Sequence, residues 1–154
     1  MIKKIISGGQ TGADRAALDV AIKVGIPHGG WIPKGRKTED GVLPDKYQLQ
    51  EMSTTSYSKR TEQNVLDSEG TLIVSHGKLN GGSALTRKLA GKHKRPCIRI
   101  DIDRLSIADA VETIKEWIAH NAIHILNVAG PRASKDPDIY NSTTKILETM
   151  LTIK

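Results

Sequence analysis

Aromatic side chains are nearly missing from this sequence: there is no phenylalanine, and two tryptophans and three tyrosines bring the class to 3% of 154 residues. Proteins that thread single-stranded nucleic acid over stacked rings use more than this. A nucleic-acid partner is therefore disfavoured, although 23 Lys and Arg against 17 Asp and Glu leave a net charge of +6. Cysteine is as scarce. Cys97 alone has no internal disulfide partner and supplies no multi-cysteine zinc site, so a reducing cytoplasm is the expected location. No apolar run approaches the roughly 18 residues of a membrane span. The opening Met1-Ile2-Lys3-Lys4-Ile5-Ile6 meets glycines before it becomes a signal-peptide core, so no membrane partner is expected. A Ser/Pro-rich linker is lacking too, and residues 1–154 read as one domain.

What is present is an alternation of short apolar runs with amphipathic stretches. Lys3 to Ser7 reads as a short buried strand ending in Gly8-Gly9-Gln10-Thr11-Gly12. Ala16, Ala17, Val20, Ala21 and Val24 then follow at helical spacing from a start near Ala13, with Gly25 as the stop. His28 to Ile32 predicts a weaker strand, and the polar segment Pro33 to Lys46 is long enough to be expected functional. Tyr47 to Met52 alternates like an edge strand. Arg60 to Asp67 reads as a short helix with Arg60 and Asn64 on one face. Thr71 to Val74 is the clearest strand and runs into Gly77 to Ser83, where Ser83 is expected to cap a helix from Ala84 to about His93. Pro96 to Ile100 is another strand. Ser106 and Asp109 have capping-box spacing, and Ile107, Ala110, Val111, Ile114, Trp117 and Ile118 trace one helical face. Ile123 to Ala129 is the next strand, Gly130-Pro131-Arg132 the next turn, and a last helix starts near Asp138.

This order predicts an α/β fold with a mostly parallel sheet of five or more strands and helices on both faces. In such sheets ligands sit at the carboxyl ends of the strands. The glycine turns beginning at Gly8, Gly77 and Gly130 all follow strands and should converge on one edge. At the first turn, glycines allow close approach of an anion, but Thr11 and Asp14 have capping-box spacing and place a carboxylate at the same helix end. The helix after Ser83 has no acid in its first turn and carries Arg87, Lys88 and Lys92, which leaves its end open to an anion. Arg132 and Ser134 offer donors at the third turn. Gly30-Trp31-Ile32-Pro33-Lys34-Gly35-Arg36-Lys37 imitates a phosphate loop but lacks the Lys-Ser/Thr pair and loses an amide at Pro33. His120 and His124 are four apart yet fall on different elements, Cys97 reads as core packing, and no spacing marks out a nucleophile triad or carboxylate pair.

Ser7-Gly8-Gly9-Gln10-Thr11-Gly12-Ala13-Asp14-Arg15-Ala16-Ala17-Leu18-Asp19 closely resembles the opening of the molybdenum cofactor carrier family. Pro33-Lys34-Gly35-Arg36, Glu39-Asp40-Gly41, Tyr57 with Arg60-Thr61 and Asn64-Val65, Asp67-Ser68 running to Gly70-Thr71-Leu72-Ile73, Gly81-Gly82-Ser83-Ala84-Leu85-Thr86 and Asn127-Val128-Ala129-Gly130-Pro131-Arg132 continue the resemblance in order. It implies a Rossmann-like three-layer sandwich, a homo-oligomer (dimer or tetramer), and binding of the molybdenum cofactor, a phosphorylated molybdopterin whose own dithiolene sulfurs hold the metal. Molybdoenzymes receiving the cofactor are the implied partners. A wider similarity joins these carriers to lysine-decarboxylase-like phosphoribohydrolases and DNA-processing proteins. The phosphoribohydrolases carry Gly-Gly-x-Gly-Thr-x-x-Glu, and here the glutamate position is Lys88, which cannot stabilise positive charge at a breaking glycosidic bond.

The expectation is thus a non-catalytic carrier with no metal ligands of its own, binding a small phosphorylated ligand at the sheet's carboxyl edge. The candidate cofactor-binding residues are Gly8, Gly9, Gln10, Thr11, Gly12, Gly81, Gly82, Ser83, Gly130 and Arg132, with Arg15, Arg36, Arg60 and Asn64 for charge and orientation. The alternative is a nucleotide-binding or nucleotide-processing enzyme using Asp14, Arg15 or Glu39.

Overall fold

A computed structural model describes residues 1–152. Its centre is a five-stranded, wholly parallel sheet of β1 (Lys4–Ile6), β2 (His28–Gly29), β7 (Gly70–Ser75), β8 (Cys97–Asp101) and β9 (Ile125–Ala129), in the order β2-β1-β9-β7-β8. The last strand in sequence lies in the middle of the sheet. The direction of winding therefore reverses around β1, β9 and β7, which opens a crevice past their carboxyl ends.

Side chains alternate across these strands. Ile5, Leu72, Val74, Ile100, Leu126 and Val128 join one apolar cluster with α1 (Ala13–Val24), α4 (Ile107–Asn121) and α5 (Ile139–Thr152). Each fully buried Leu or Ile there contributes about 1.5–3 kcal/mol over an exposed one. The opposite face, which includes Thr71, Ile73 and Asn127, is covered by α2 (Tyr57–Asp67) and α3 (Gly81–Lys92). The three-layer α/β sandwich read from the sequence is the fold observed.

Local signals act as expected at several boundaries. Gly25 ends α1 in the left-handed conformation at φ 77°, and Ser106 Oγ accepts from the Asp109 amide at 3.1 Å to cap α4. Elsewhere the structure corrects the reading. His28 to Ile32 is not one strand: Gly30, at φ 125°, turns the chain against Ser7, so β2 stays with β1 while β3 (Trp31–Ile32) leaves to pair with β6 (Gln50–Glu51). The polar segment also holds a small hairpin, β4 (Lys37–Thr38) and β5 (Gly41–Val42). Leu43, Tyr47 and Leu49 turn inward with Leu18 and Ile32 as a second, smaller apolar cluster.

Ser83 is not a cap. Asn80 is the extended residue before α3, and Ala84 closes the first turn on the Asn80 carbonyl at 3.3 Å. Ser83 is the third helical residue and is buried, because the extended chain ends at Asn80 and the glycines after it enter the helix. At α1 the cap position is Gly12 rather than Thr11. The Ala13 amide donates to the Pro131 carbonyl, and Asp14 Oδ2 accepts from the Gln10 amide at 3.3 Å.

Candidate functional site

Three turns meet past the carboxyl ends of the sheet, as their positions after strands require. Gly8 follows β1, His76 and Lys78 to Asn80 follow β7, and Gly130 follows β9; all line one cleft of about 430 Å³. That size falls within the roughly 300–1,000 Å³ of small-molecule sites. Its floor is Asn127, buried and donating to Thr71 Oγ1 at 3.2 Å across neighbouring strands. One wall is α2, the other the first turn of α3.

The α3 end supplies donors with nothing to donate to. Asn80 makes no side-chain cap, the first turn carries no acid, and the amides of Gly81, Gly82 and Ser83 precede the first intrahelical bond. A Cβ built on Gly81 or Gly82 meets no atom within 4 Å, so both glycines border open space in the cleft. Glycine there lets a ligand approach the backbone, and the helix end favours negative charge.

Cations are sorted by their commitments. Arg15 donates to the Gly9 carbonyl at 3.3 Å and pairs with Asp40 at 3.2 Å, and it does not line the cleft. Arg36 donates to the carbonyls of Leu43, Pro44, Tyr47 and Leu49 and so ties the polar segment to itself. Arg60 donates to the Gly8 carbonyl at 2.6 Å while lining the cleft. Lys78, Arg132 and Lys135 line it as well, and among the described residues none of the three makes a side-chain hydrogen bond or ion pair.

Of the other expected residues, Gln10, Asn64, Gly82, Ser83 and Gly130 reach the cleft. Asn64 is at the same time committed to β3, accepting from the Trp31 amide at 2.8 Å and donating to its carbonyl at 3.2 Å. Gly9, Thr11 and Gly12 do not line it. Gly9 packs on Leu43 and Leu49, while Gly12, at φ 80°, lies so close to the third turn that a Cβ would sit 2.3 Å from the Pro131 oxygen. Thr11 bridges the first and third turns by donating to Glu39 and accepting from the Ala133 amide at 3.1 Å. Glu39 completes this clamp by accepting from the Ser134 amide at 3.0 Å and from its hydroxyl. Burial works against its charge, but these hydrogen bonds prevail and hold the carboxyl below the usual range.

Tyr57, Thr61, His76, Lys78, Lys135 and Asp136 also line the cleft, although none of them is among the candidate site residues expected from the sequence. His76 Nδ1 meets Asp136 Oδ2 across 60 residues of sequence, a pairing that no spacing signals. Asp14 enters the cleft as well, where burial pushes its carboxyl up to about 6 against the opposing pull of Arg60, the Gln10 amide, Arg15 and Arg132. Cys97 opens β8 away from the cleft, half-buried, and burial raises its thiol. Among the described residues no cluster of three metal-ligating side chains occurs, and no helix is long and apolar enough to cross a membrane.

The comparisons agree with this architecture. The profile of the circularly permutated YpsA SLOG family matches residues 5–151. A crystal structure from Syntrophus aciditrophicus, named "Putative molybdenum carrier protein", is 63% identical over 98% of this chain and 96% of its own, with a TM-score of 0.97. No curated protein matches the chain.

Proposed function

The chain belongs to the circularly permutated YpsA SLOG family, and from that membership and the cleft we propose that it is a non-catalytic carrier of the molybdenum cofactor or a related phosphorylated ligand. The observation that carries this is the uncapped N-terminus of α3 opening beside Lys78, Arg132 and Lys135, three cations with no partner among the described residues. A phosphate placed there receives backbone amides, a helix end and side-chain charge together. The Syntrophus relative, a molybdenum carrier by name, supports the choice of cargo.

The residues present fit that cargo. The open cradle at Gly81 and Gly82 would take the phosphate, and Arg60 and Arg132 would balance the oxyanion charge. The cofactor's dithiolene sulfurs hold the metal, so the chain need offer no thiolate. Delivery to a molybdoenzyme and assembly as a dimer or tetramer belong to the same proposal.

Protein purified without oxygen, followed by mass spectrometry and metal analysis, should yield a pterin with molybdenum. In thermal-shift titration with molybdopterin cofactor, Gly82→Asp and Arg132→Ala should each weaken binding by about tenfold or more, one charged contact being worth about 1.5–3 kcal/mol. Folded variants that bind as tightly as the wild type would remove the site assignment.

A second reading, nucleotide processing, draws on Asp14 and the His76–Asp136 pair, all in the cleft. Arg15 and Glu39, the other candidates for that chemistry, are engaged elsewhere. Release of base or phosphate from a nucleotide panel, abolished in His76→Ala or Asp14→Asn, would favour it over the carrier.

A further inference from the structure

The cleft has two chemically different ends. The α3 end gathers helix amides and cations, and the carboxylate there, Asp136, is taken up by His76. The end between α1 and α2 holds a carboxylate, Asp14, and the ring of Tyr57. Among the described residues Tyr57 is the single tyrosine or tryptophan lining the cleft, and it is 53% exposed. Arg60 lies over it with its guanidinium carbon 5.6 Å from the ring centre, which fixes the ring while leaving much of its surface open.

Asp14 is out of place in an anion site. It raises the cost of bringing a phosphate near and is itself stripped of water. The charges of Arg60 and Arg132 offset this only in part, and a Cβ on Gly8 would lie 2.5 Å from Arg60 Nη1 and 2.9 Å from Asp14 Oδ2, so Arg60 and Asp14 flank the same point. One backbone amide, from Gln10 at 3.3 Å, is its hydrogen-bond donor within the protein. A carboxylate has about four acceptor sites. Asp14 therefore keeps unused acceptor capacity in a cleft that also holds the ring of Tyr57.

Resting on the anion-binding reading of the cleft, we infer that this end reads a planar heterocycle with adjacent ring N–H and exocyclic amino donors, the 2-amino-4-oxo edge shared by pterins and guanine. The ring lies against Tyr57 and the two donors address the Asp14 carboxylate. Two parallel N–H groups match a carboxylate's two oxygens. The edge of adenine offers one donor beside an acceptor and matches only half of it. The phosphate then extends toward Arg132 and the α3 cradle, so ring and phosphate are each met by the end of the cleft that complements them.

The test is equilibrium binding of the full chain at pH 7.5 to neopterin monophosphate, guanosine monophosphate, inosine monophosphate (which lacks the 2-amino group) and ribose 5-phosphate. The first two should bind at least about tenfold tighter than ribose 5-phosphate, a gain that Tyr57→Ala removes and Tyr57→Phe keeps. Guanosine monophosphate should exceed inosine monophosphate by about tenfold, and Asp14→Asn should erase that preference without weakening ribose 5-phosphate. Whichever of the pterin and guanine probes binds tighter identifies the source of the shared edge. Equal binding of ribose 5-phosphate and the ring-bearing probes overturns the inference and leaves the anion cradle standing. A ring preference untouched by either substitution overturns it too. If no probe binds, ribose 5-phosphate included, the cradle itself fails and the inference with it.

Discussion

At the scale of single residues, the site is decided less by which side chains are charged than by what each charge already holds. Arg15, Arg36 and Arg132 are indistinguishable as letters. Arg36 spends its guanidinium on four carbonyls and Arg15 on Gly9 and Asp40, while Arg132 keeps its donors for the cleft. The sequence shows the charge, and only the fold shows the commitment. Asp14 yields a pH prediction with a definite sign. Its carboxyl sits at about 6 in the folded chain against 3.8 when exposed, because burial disfavours the ion. Between those values the folded state holds a proton that the unfolded state releases, so the folded state loses stability as pH rises through this window and stays less stable above it. Asp14→Asn should therefore raise Tm over the wild type above pH 7 and change it little near pH 4. A gain equal at both pH values would show that another group is responsible.

At the scale of elements, the strands and most helices were legible because apolar periodicity and capping chemistry are local signals. The Ser106 cap, the Gly25 stop and the Leu72–Val74 core strand needed no partner to be recognised. What was not legible depended on contacts across the chain. The break at Gly30 exists because Ser7 presses against it, and α3 starts before Ser83 because the extended chain runs only to Asn80. Gly9, Thr11 and Gly12 resemble phosphate-binding residues, yet the structure uses Thr11 and Gly12 to join two turns and Gly9 to cover a small apolar cluster. That joint is testable. At φ 80° and ψ −130°, Gly12 occupies a conformation that costs other residues about 1–3 kcal/mol. An added methyl would also meet the Pro131 oxygen at 2.3 Å. Gly12→Ala should lower stability by at least that amount in urea denaturation and weaken phosphate-ligand binding, although residue 12 does not line the cleft. Wild-type stability together with wild-type affinity would mean that the two turns are not coupled.

At the scale of the whole molecule, strand order and net charge act together. Placing β9 between β1 and β7 brings three glycine turns to one crevice, lined by Arg60, Lys78, Arg132 and Lys135 against Asp14 and Asp136, in a chain of net charge +6. The predictable part is the convergence of turns after parallel strands; which wall carries Asp14 and Tyr57 follows from packing that no motif encodes. Charge of this kind acts at long range on approach, while the α3 amides and the ring end act only on contact. The two are separable by salt, since the screening length shrinks from about 30 Å at 0.01 M to about 10 Å at 0.1 M. In stopped-flow fluorescence with neopterin monophosphate, the association rate should fall about tenfold as ionic strength rises from 0.01 to 0.3 M. The dissociation rate should change far less, because the bound contacts are short and shielded from solvent ions. An oligonucleotide relying on net charge alone would instead lose affinity steeply, with one factor of salt dependence for each phosphate neutralised. An association rate indifferent to salt would mean that Lys78, Arg132 and Lys135 do not draw the ligand in, and that the cleft selects by contact alone.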